Sequence, residues 1–325
     1  MTYWHKRNVL VTGGLGFIGS NLVMELWRRG AHVTVVDSLH PNYGGNRSNL
    51  PSDDSRLSIV VADLRDKNLL EPLVTETDVI FNLAGQSAHL DSIREPELDL
   101  DNNLRGHISL LEACRHHNPE IRVVLASTRQ VYGRPQSTPV NESHPISPVD
   151  VNGINKYASE QYHLLYSKLH GVRTTVLRLT NTYGPRMRVK DARQTFLGVW
   201  IKLALDQRKF EVFGSGLQMR DFNFVDDVVE AMLLVGSDTG PKSNTYNLGA
   251  EKSISLLETA NRLSQLAGGP GFDIVPFPDE LLRIDIGDYS GDYSSILRDY
   301  GWHPRTTFEQ GLQLTLDFFR EARGR

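Results

Sequence analysis

Short runs of apolar residues alternate with longer amphipathic stretches through the first half of the chain. Runs with the length and composition of strands lie at 8–12, 32–37, 57–61, 79–83, 121–126 and 172–179. Stretches with the 3.6-residue period of a helix lie at 17–29, 98–116 and 152–170. Because the strands are apolar at nearly every position, we expect burial on both faces, as in a parallel sheet covered by helices. The alternation predicts an α/β fold with a doubly wound parallel sheet.

The pattern changes after about residue 185. Segments 41–52 and 133–149 are rich in Gly, Asn, Ser or Pro, which predicts loops. The second half carries a predicted strand at 245–248 and predicted helices at 195–205, 226–236, 256–266 and 308–322. We therefore expect a first domain over 1–184, with return segments near 221–248, and a smaller C-terminal region over 185–325.

Composition narrows the class of protein. The 325 residues are 39% hydrophobic and 23% charged, and the formal net charge is −4. These values are typical of a globular protein, and the lack of a basic excess argues against a nucleic-acid partner. No apolar run approaches the ~18 residues of a membrane span, and the N-terminal apolar segment has no small-residue cleavage site. The single cysteine, Cys114, cannot form an internal disulfide. We expect a soluble, cytoplasmic enzyme with no membrane partner.

A glycine-rich loop follows the first predicted strand and opens the first predicted helix. Segment 12–19 reads Thr-Gly-Gly-Leu-Gly-Phe-Ile-Gly, with glycines at 13, 16 and 19. Glycines there permit a tight turn and close approach of the backbone to a pyrophosphate, which the amides of the helix N-terminus then bind. Asp37 ends the next strand, where a carboxylate bonds ribose hydroxyls and repels a 2′-phosphate. The pattern predicts a dinucleotide site that favours NAD over NADP.

This glycine spacing resembles the extended short-chain dehydrogenase/reductase family, and further family landmarks follow in order. They are Asp63-Leu64, the Asn-Leu-Ala-Gly of 82–85, the Ser-Thr-Arg-Gln-Val-Tyr-Gly of 127–133, the segment 178–186, Arg220-Asp221-Phe222 with Val225-Asp226-Asp227, and the Gly-Trp-His-Pro of 301–304. The match runs over nearly 300 residues and is to the NAD-dependent epimerase/dehydratase branch, which acts on nucleotide-diphosphate sugars. The resemblance implies a Rossmann-like fold with a sugar-nucleotide region after it, and a homodimer formed through helices 98–116 and 152–170.

The resemblance also implies ligand contacts residue by residue. The cofactor contacts would be Gly13, Gly16, Phe17, Ile18, Gly19, Asp37, Asp63, Leu64, Leu83, Ala84, Gly85 and Lys156. The substrate contacts would be Gln86, Ser87, Thr128 and Asn181, with Arg220 and then Arg283 as candidates for the diphosphate. Arginine offers two parallel donors to a phosphate, which is why these two are singled out. No metal site is expected, because the acidic set at 285, 288 and 292 lacks the spacing of a calcium loop.

The catalytic segment departs from the family pattern at one position. The family uses a Ser or Thr hydroxyl, a Tyr that takes a hydroxyl proton, and a Lys one helical turn later. Thr128 and Lys156 match, but Asn152 stands four residues before the lysine. An amide cannot act as the base. Tyr157 lies about 140° further around the helix, so it is expected to point elsewhere.

Three hypotheses remain open for this substitution. In the first, the enzyme is active and another group takes the proton, with Lys156 itself, His89 or Tyr183 as candidates. In the second, Asn152 orients a substrate, such as a keto-sugar, that needs no deprotonation. In the third, the protein binds NAD and a nucleotide sugar without turnover.

The residues after Thr128 bear on the reaction type. Family 4,6-dehydratases resemble Thr-Asp-Glu there, with the two acids serving in water elimination, whereas this chain has Arg129 and Gln130. Neither side chain exchanges a proton at neutral pH. The favoured function is therefore NAD-dependent epimerisation of a nucleotide-diphosphate sugar, like that of UDP-glucose 4-epimerase. Another oxidoreductase or dehydratase of the family, and a non-catalytic binding protein, are the alternatives.

Overall fold

The computed structural model describes residues 3–324 except 44, 53, 194, 239, 241–243 and 270. Residue 44 of the predicted loop and residues 239 and 241–243 of the predicted return segment thus lie outside the described residues. The strands are β1 (Asn8–Thr12), β2 (His32–Asp37), β3 (Leu57–Val61), β4 (Val79–Asn82), β5 (Arg122–Thr128), β6 (Arg173–Leu179), β7 (Asn181–Tyr183), β8 (Phe210–Phe213), β9 (Met219–Arg220), β10 (Phe222–Phe224), β11 (Thr245–Asn247), β12 (Ile254–Ser255) and β13 (Phe272–Val275).

The α-helices cover both faces of the main sheet and build the C-terminal region. They are α1 (Phe17–Arg28), α2 (Lys67–Thr75), α3 (His89–Arg94), α4 (Pro96–Leu100), α5 (Gly106–His117), α6 (Val151–His170), α7 (Phe196–Leu205), α8 (Val225–Ser237), α9 (Leu256–Leu266), α10 (Asp279–Leu282), α11 (Ser294–Tyr300) and α12 (Phe308–Gly324). None of the helices in the described part of the chain is both long and apolar enough to cross a bilayer.

Seven strands form the main sheet in the order β11-β6-β5-β4-β1-β2-β3, and every pairing is parallel. Side chains alternate between its faces, so Val9 and Val11 of β1 join one core while Leu10 joins the other. Helices α1 and α8 pack on the first face, and α2, α5 and α6 on the second. The predicted α/β fold with a doubly wound sheet is confirmed.

The C-terminal region adds small sheets to this frame. Strand β8 pairs with β13 in parallel, and α7, α9 and α12 pack around β8 and one another. Trp200, Phe210 and Leu263 of this region belong to the same hydrophobic cluster as Val9 and Val11 of the main sheet. One apolar core therefore joins the two parts, and the cleft between them has packed walls.

The predicted helix at 98–116 is the clearest difference from expectation. The helical path begins at Pro96, widens into a π-helical turn over Asp101–Arg105 and continues as α5. The wide turn brings Asn103 towards the main sheet, where its Oδ1 accepts the Gln86 amide at 3.2 Å. It also presents Asp101 to both Arg65 and Arg105. Gln86 and Arg65 lie outside the segment 98–116, so the periodicity of that segment alone did not predict the turn.

Candidate functional site

The carboxyl ends of β1 and β4 meet where the sheet reverses its strand order. The hydroxyl of Thr12 donates to Asn82 Oδ1 at 2.7 Å and accepts the amides of Leu83 and Ala84 at 3.2 and 3.1 Å. This one buried side chain therefore ties the loop after β4 to the end of β1. Ligands of open α/β sheets bind in the crevice at such a switch point.

The glycine turn between β1 and α1 is closely packed. Gly13 has a φ of +67°, which favours glycine, and a Cβ there would lie 2.8 Å from the Leu83 carbonyl oxygen. A Cβ on Gly19 would lie 2.2 Å from the Gly13 carbonyl oxygen, and one on Gly16 would lie 3.1 Å from the same atom. The absence of side chains at these glycines leaves room next to the start of α1, where the first amides of a helix lack intrahelical partners and can bind a pyrophosphate.

A cleft of about 860 Å³ opens over this turn and runs to the ends of β5 and β7. Its lining includes all the residues assigned from the sequence to the cofactor, namely Gly13, Gly16, Phe17, Ile18, Gly19, Asp37, Asp63, Leu64, Leu83, Ala84, Gly85 and Lys156. It also includes six residues assigned to chemistry or substrate, namely Gln86, Ser87, His89, Thr128, Asn152 and Asn181. The fold therefore gathers these side chains around one cavity.

Two carboxylates lie at the glycine-turn end of the cleft. Asp37 accepts the backbone amides of Leu15 and Leu39 at 3.1 and 2.9 Å. Burial raises the pKa of Asp37, and these two hydrogen bonds oppose that rise. Asp63 is held by Arg65 at 2.8 Å, and this hydrogen bond lowers the pKa of the Asp63 carboxyl. Asp37 is thus fixed at the end of β2, where a ribose would be recognised.

Lys156 reaches into the middle of the cleft from the first turns of α6. A Cβ on Gly85 would lie 3.2 Å from its ammonium nitrogen, so the lysine abuts the loop after β4. Burial lowers the pKa of Lys156, while the negative charges of Asp99 and Glu160 oppose the shift. Among the described residues the ammonium has no ion-pair partner within 4 Å. Its donors are therefore free for a ligand.

Asn152 is built into a buried polar network. Its side chain is 1% exposed, and its Nδ2 donates to the Gln86 carbonyl at 2.9 Å and to Asp99 Oδ2 at 3.1 Å. Asp99 also accepts the amides of Gln86 and, at 2.7 Å, of Asn155. Three amide side chains therefore surround one buried carboxylate. The network requires an N–H donor at position 152, because a side chain without one would leave the buried Asp99 carboxylate with one hydrogen bond fewer.

His89 and Asp150 form a pair at the cleft wall. His89 Nδ1 lies 2.8 Å from Asp150 Oδ2, and the His89 side chain is 35% exposed to the cleft. Asp150 is the N-cap of α6 and accepts the Gly153 amide at 2.7 Å. Burial raises the pKa of Asp150, but the interaction with His89 and the hydrogen bonds from the Gly153 amide and Gln130 together hold this pKa below the ordinary value. In the neutral tautomer that donates its Nδ1 proton to Asp150, the imidazole of His89 presents Nε2 as an acceptor.

Thr128 ends β5 beside this pair, and its Oγ1 accepts the Gln130 amide at 3.2 Å. Gln130 in turn donates to Asp150 Oδ2 at 3.2 Å. Among the described residues, the carboxylates that line the cleft are Asp37, Asp63 and Asp101, all at the glycine-turn end. The end near Thr128 thus presents hydroxyl, imidazole, ammonium and amide groups, and no carboxylic acid in the described lining.

Three other residues singled out from the sequence do not line the cleft. Arg220 is 6% exposed and paired with Asp285 at 2.7 Å. Arg283 is exposed next to α10. Tyr183 is 1% exposed and donates to the Phe308 carbonyl at 3.1 Å, and burial raises its pKa. Tyr157 packs with a separate cluster around Tyr132 and also stays out of the cleft, as its helical position indicated.

Two residues that shape the site were missed at the sequence level. Asp150 carried a signal, because an Asp directly before a helical stretch is a common N-cap. Asp99 had no such signal in the sequence, because it lies within a helix and meets Asn152 only through the packing of α4 against α6. Its position within a predicted amphipathic helix did not distinguish it from a solvent-exposed carboxylate.

The sequence and the structure of this chain are similar to those of several known proteins. Residues 9–249 match the sequence model of the NAD dependent epimerase/dehydratase family. The chain is 32% identical over 315 residues to a "Putative UDP-glucose 4-epimerase" of Methanocaldococcus jannaschii, which covers 96% of this chain and 98% of that protein. It is 32% identical over 321 residues to a dTDP-glucose 4,6-dehydratase of Mycolicibacterium smegmatis, and this match covers 96% of this chain and 93% of that protein. The structure of UDP-glucose 4-epimerase from Thermotoga maritima with UDP-glucose matches this structure with a TM-score of 0.89 at 29% sequence identity. The match covers 97% of this chain and 99% of that one.

Proposed function

The chain belongs to the NAD-dependent epimerase/dehydratase family, and from this premise we propose that it epimerises a nucleotide-diphosphate sugar through a transient keto-sugar. The observation that carries this proposal is the composition of the cleft. Thr128 and Lys156 lie in the same cavity as the glycine turn, while the described lining around Thr128 holds no carboxylic acid. Elimination of water needs an acid and a base next to the sugar, whereas epimerisation needs one group that takes and returns a proton.

The residues present fit NAD as the cofactor. The glycine turn forms a cradle that a Cβ at Gly13 or Gly19 would fill. Asp37 lies at the end of β2, where its carboxylate can accept hydrogen bonds from ribose hydroxyls. Lys156 offers unpaired donors in the middle of the cleft. The glycine turn, Asp37 and Lys156 would hold NAD, which would supply reversible hydride transfer at a sugar carbon.

The protein's own groups would move the proton. Nε2 of His89 accepts the proton of the reacting hydroxyl, because Nδ1 is held by Asp150 and the imidazole borders the cleft. The Thr128 hydroxyl bonds the same sugar oxygen. The positive charge of Lys156 stabilises negative charge that develops on that oxygen. His89 returns the proton once the sugar carbon is reduced on its other face.

Asn152 would orient the substrate and support the loop after β4. Its Nδ2 is committed to Gln86 and Asp99, so it serves structure rather than proton transfer. Ser87 and Asn181, which also border the cleft, are proposed substrate contacts. The homodimer is part of the proposal as well, supported by four exposed apolar side chains on α6. These are Ile154, Tyr162, Leu165 and Leu169.

The test is incubation of the purified protein with UDP-, dTDP-, GDP- and CDP-sugars and analysis of the products by NMR. An epimer with no net change in NADH absorbance is expected. A dehydrated keto-sugar, or stoichiometric NADH, would assign the chain to another reaction of the family. Binding of NAD and nucleotide sugar with no product from any sugar would make it a binding protein.

Gly19→Ala is expected to weaken NAD binding at least about tenfold. The new methyl group would lie 2.2 Å from the Gly13 carbonyl oxygen and 2.8 Å from Gly14 Cα, so the backbone of the turn must open. Gly240→Ala is the matched control, because a Cβ there meets no atom within 4 Å and Gly240 does not line the cleft. Titration calorimetry with NAD on protein stripped of cofactor measures both. Equal affinities for the two variants would contradict a pyrophosphate site at this turn.

Asn152→Tyr is expected to lower turnover instead of restoring a family-like base. The ring would displace a 1%-exposed amide and remove one of the donors to Asp99. The melting temperature should fall as well, because a buried carboxylate loses a partner. Asn155→Ala is the control, since it removes another Asp99 donor from outside the cleft lining. A rise in turnover of the Asn152→Tyr enzyme would show that Asn152 merely replaced a lost base.

A further inference from the structure

Arg129 is a cation at the end of the cleft near Thr128, and one of its nitrogen atoms makes no hydrogen bond among the described residues. Its Nη2 donates to Asn181 Oδ1 at 2.9 Å, and the guanidinium lies 5.0 Å from the centre of the Tyr289 ring. Its Nη1 is buried and has no hydrogen-bond partner among the described residues, and the same holds for Asn181 Nδ2. Both residues line the cleft. Two linked side chains thus leave two buried donors unsatisfied, which is costly unless a ligand pairs with them.

The charge of Arg129 is also uncompensated. In the part of the chain that the structure describes, the guanidinium has no carboxylate within 4 Å. Burial and the positive charge of Arg220 lower the pKa of Arg129 to about 10, with weaker opposing effects from Tyr289, Asp221 and Asp285. A buried cation usually has an ion-pair partner in the protein, so its absence here points to an anion that arrives with the ligand.

The two arginines assigned to the diphosphate from sequence are placed differently. Arg220 donates to the carbonyls of Met219 and Gly287 at 3.0 and 2.8 Å and to Asp285 at 2.7 Å. The charge of Arg220 is therefore paired with that of Asp285, and both of its Nη atoms donate within the protein. Arg283 is exposed outside the cleft. Neither offers the combination of position and free donors that Arg129 has.

We propose that Arg129, together with Asn181 Nδ2, forms the oxyanion site of the cleft and binds an anionic group of the nucleotide sugar. A guanidinium pairs with two oxygens of a phosphate or a carboxylate through parallel N–H bonds. The anion has two sources, the diphosphate of the substrate or a carboxylate on its sugar. Arg129 directly follows Thr128 in the chain, and both residues line the cleft. The inference rests on the proposed function, because it takes the cleft to be the nucleotide-sugar site.

The binding experiment compares wild type, Arg129→Gln and Arg220→Gln in the NAD-loaded protein. The probes are UDP, UDP-glucose and UDP-glucuronic acid, with the dTDP, GDP and CDP counterparts measured in parallel. Arg129→Gln is expected to bind the anionic probe about 10- to 100-fold more weakly. Weakening of all three compounds of a series identifies the diphosphate, and weakening of the glucuronic acid alone identifies the sugar carboxylate. Unchanged binding of every probe by Arg129→Gln overturns the proposal.

A thermal measurement without substrate tests the same site independently of the nucleobase. Arg129→Gln is expected to leave the melting temperature within about 2 °C of wild type or to raise it, because an uncompensated buried charge is removed. Arg220→Gln should lower it by roughly 4 °C or more, since Asp285 and two carbonyls lose their partner. A comparable fall for Arg129→Gln would make Arg129 a structural residue and overturn the proposal. If Arg129→Gln behaves as expected but no sugar is converted, the proposed function fails while the oxyanion site stands.

Discussion

Replacing Lys156 by methionine is expected to reduce turnover by about 10³-fold or more. The ammonium abuts Gly85 in the middle of the cleft and has no ion-pair partner among the described residues. In the proposed mechanism it supplies the positive charge that stabilises the sugar oxygen as its proton leaves. Methionine has a similar length and no charge, so it removes this contribution while filling the same space.

The folded state should tolerate the Lys156→Met change. Burial lowers the pKa of Lys156, which means that the fold disfavours its charged form, and a neutral side chain relieves that cost. The melting temperature is therefore expected to stay equal or rise while turnover is lost. Lys168→Met is the matched control, because Lys168 is exposed on the same helix and does not line the cleft. Initial rates on the sugar identified by NMR measure both variants. A Lys156→Met enzyme with more than a tenth of wild-type turnover would contradict the role given to this lysine.

The central part of the main sheet could be predicted closely because its strands are buried on both faces. Strand β1 has the bounds that its apolar run indicates, since continuous burial leaves a continuous apolar signal. The bounds of β2 and of the edge strand β3 also match their apolar runs, although β3 is only partly buried. The two-residue strands β9 and β12 could not be predicted in this way. They pair with each other across about 35 residues, and so short a segment carries no periodicity.

In the candidate site too, the residues that could be predicted are those fixed by spacing along the sequence, and those that could not are brought together only by packing. The glycine turn and Asp37 could be predicted because chemistry fixes their residue types and their spacing along one βαβ unit. The Asp99 network could not, since Asp99 and Asn152 are 53 residues apart and meet only through helix packing. Likewise Arg129 was evident only as a departure from the dehydratase pattern. Among the described residues, the Arg129 Nη1 has no hydrogen-bond partner and the guanidinium has no carboxylate within 4 Å, and both are properties of three-dimensional packing.

Replacing His89 by glutamine is expected to lower turnover about 10²- to 10⁴-fold, the range that a general base contributes. Glutamine retains a donor for Asp150 and a polar tip at the cleft, but it cannot accept a proton at neutral pH. NAD binding should be unchanged, because His89 is not among the residues around the glycine turn.

Two companion variants separate proton transfer from a structural role of His89. Asp150→Asn keeps an N-cap for α6, since Asn caps as well as Asp, but removes the charge that orients the imidazole. Turnover is expected to fall at least about tenfold, with KM little changed. His89→Ala should regain part of its turnover when imidazole is added, because the native ring is 35% exposed at the cleft and leaves an accessible space. If His89→Gln keeps wild-type turnover, the proton goes elsewhere. Lys156 is then the remaining titratable candidate named from the sequence that lines the cleft, because Tyr183 is buried away from it and bonded to the Phe308 carbonyl.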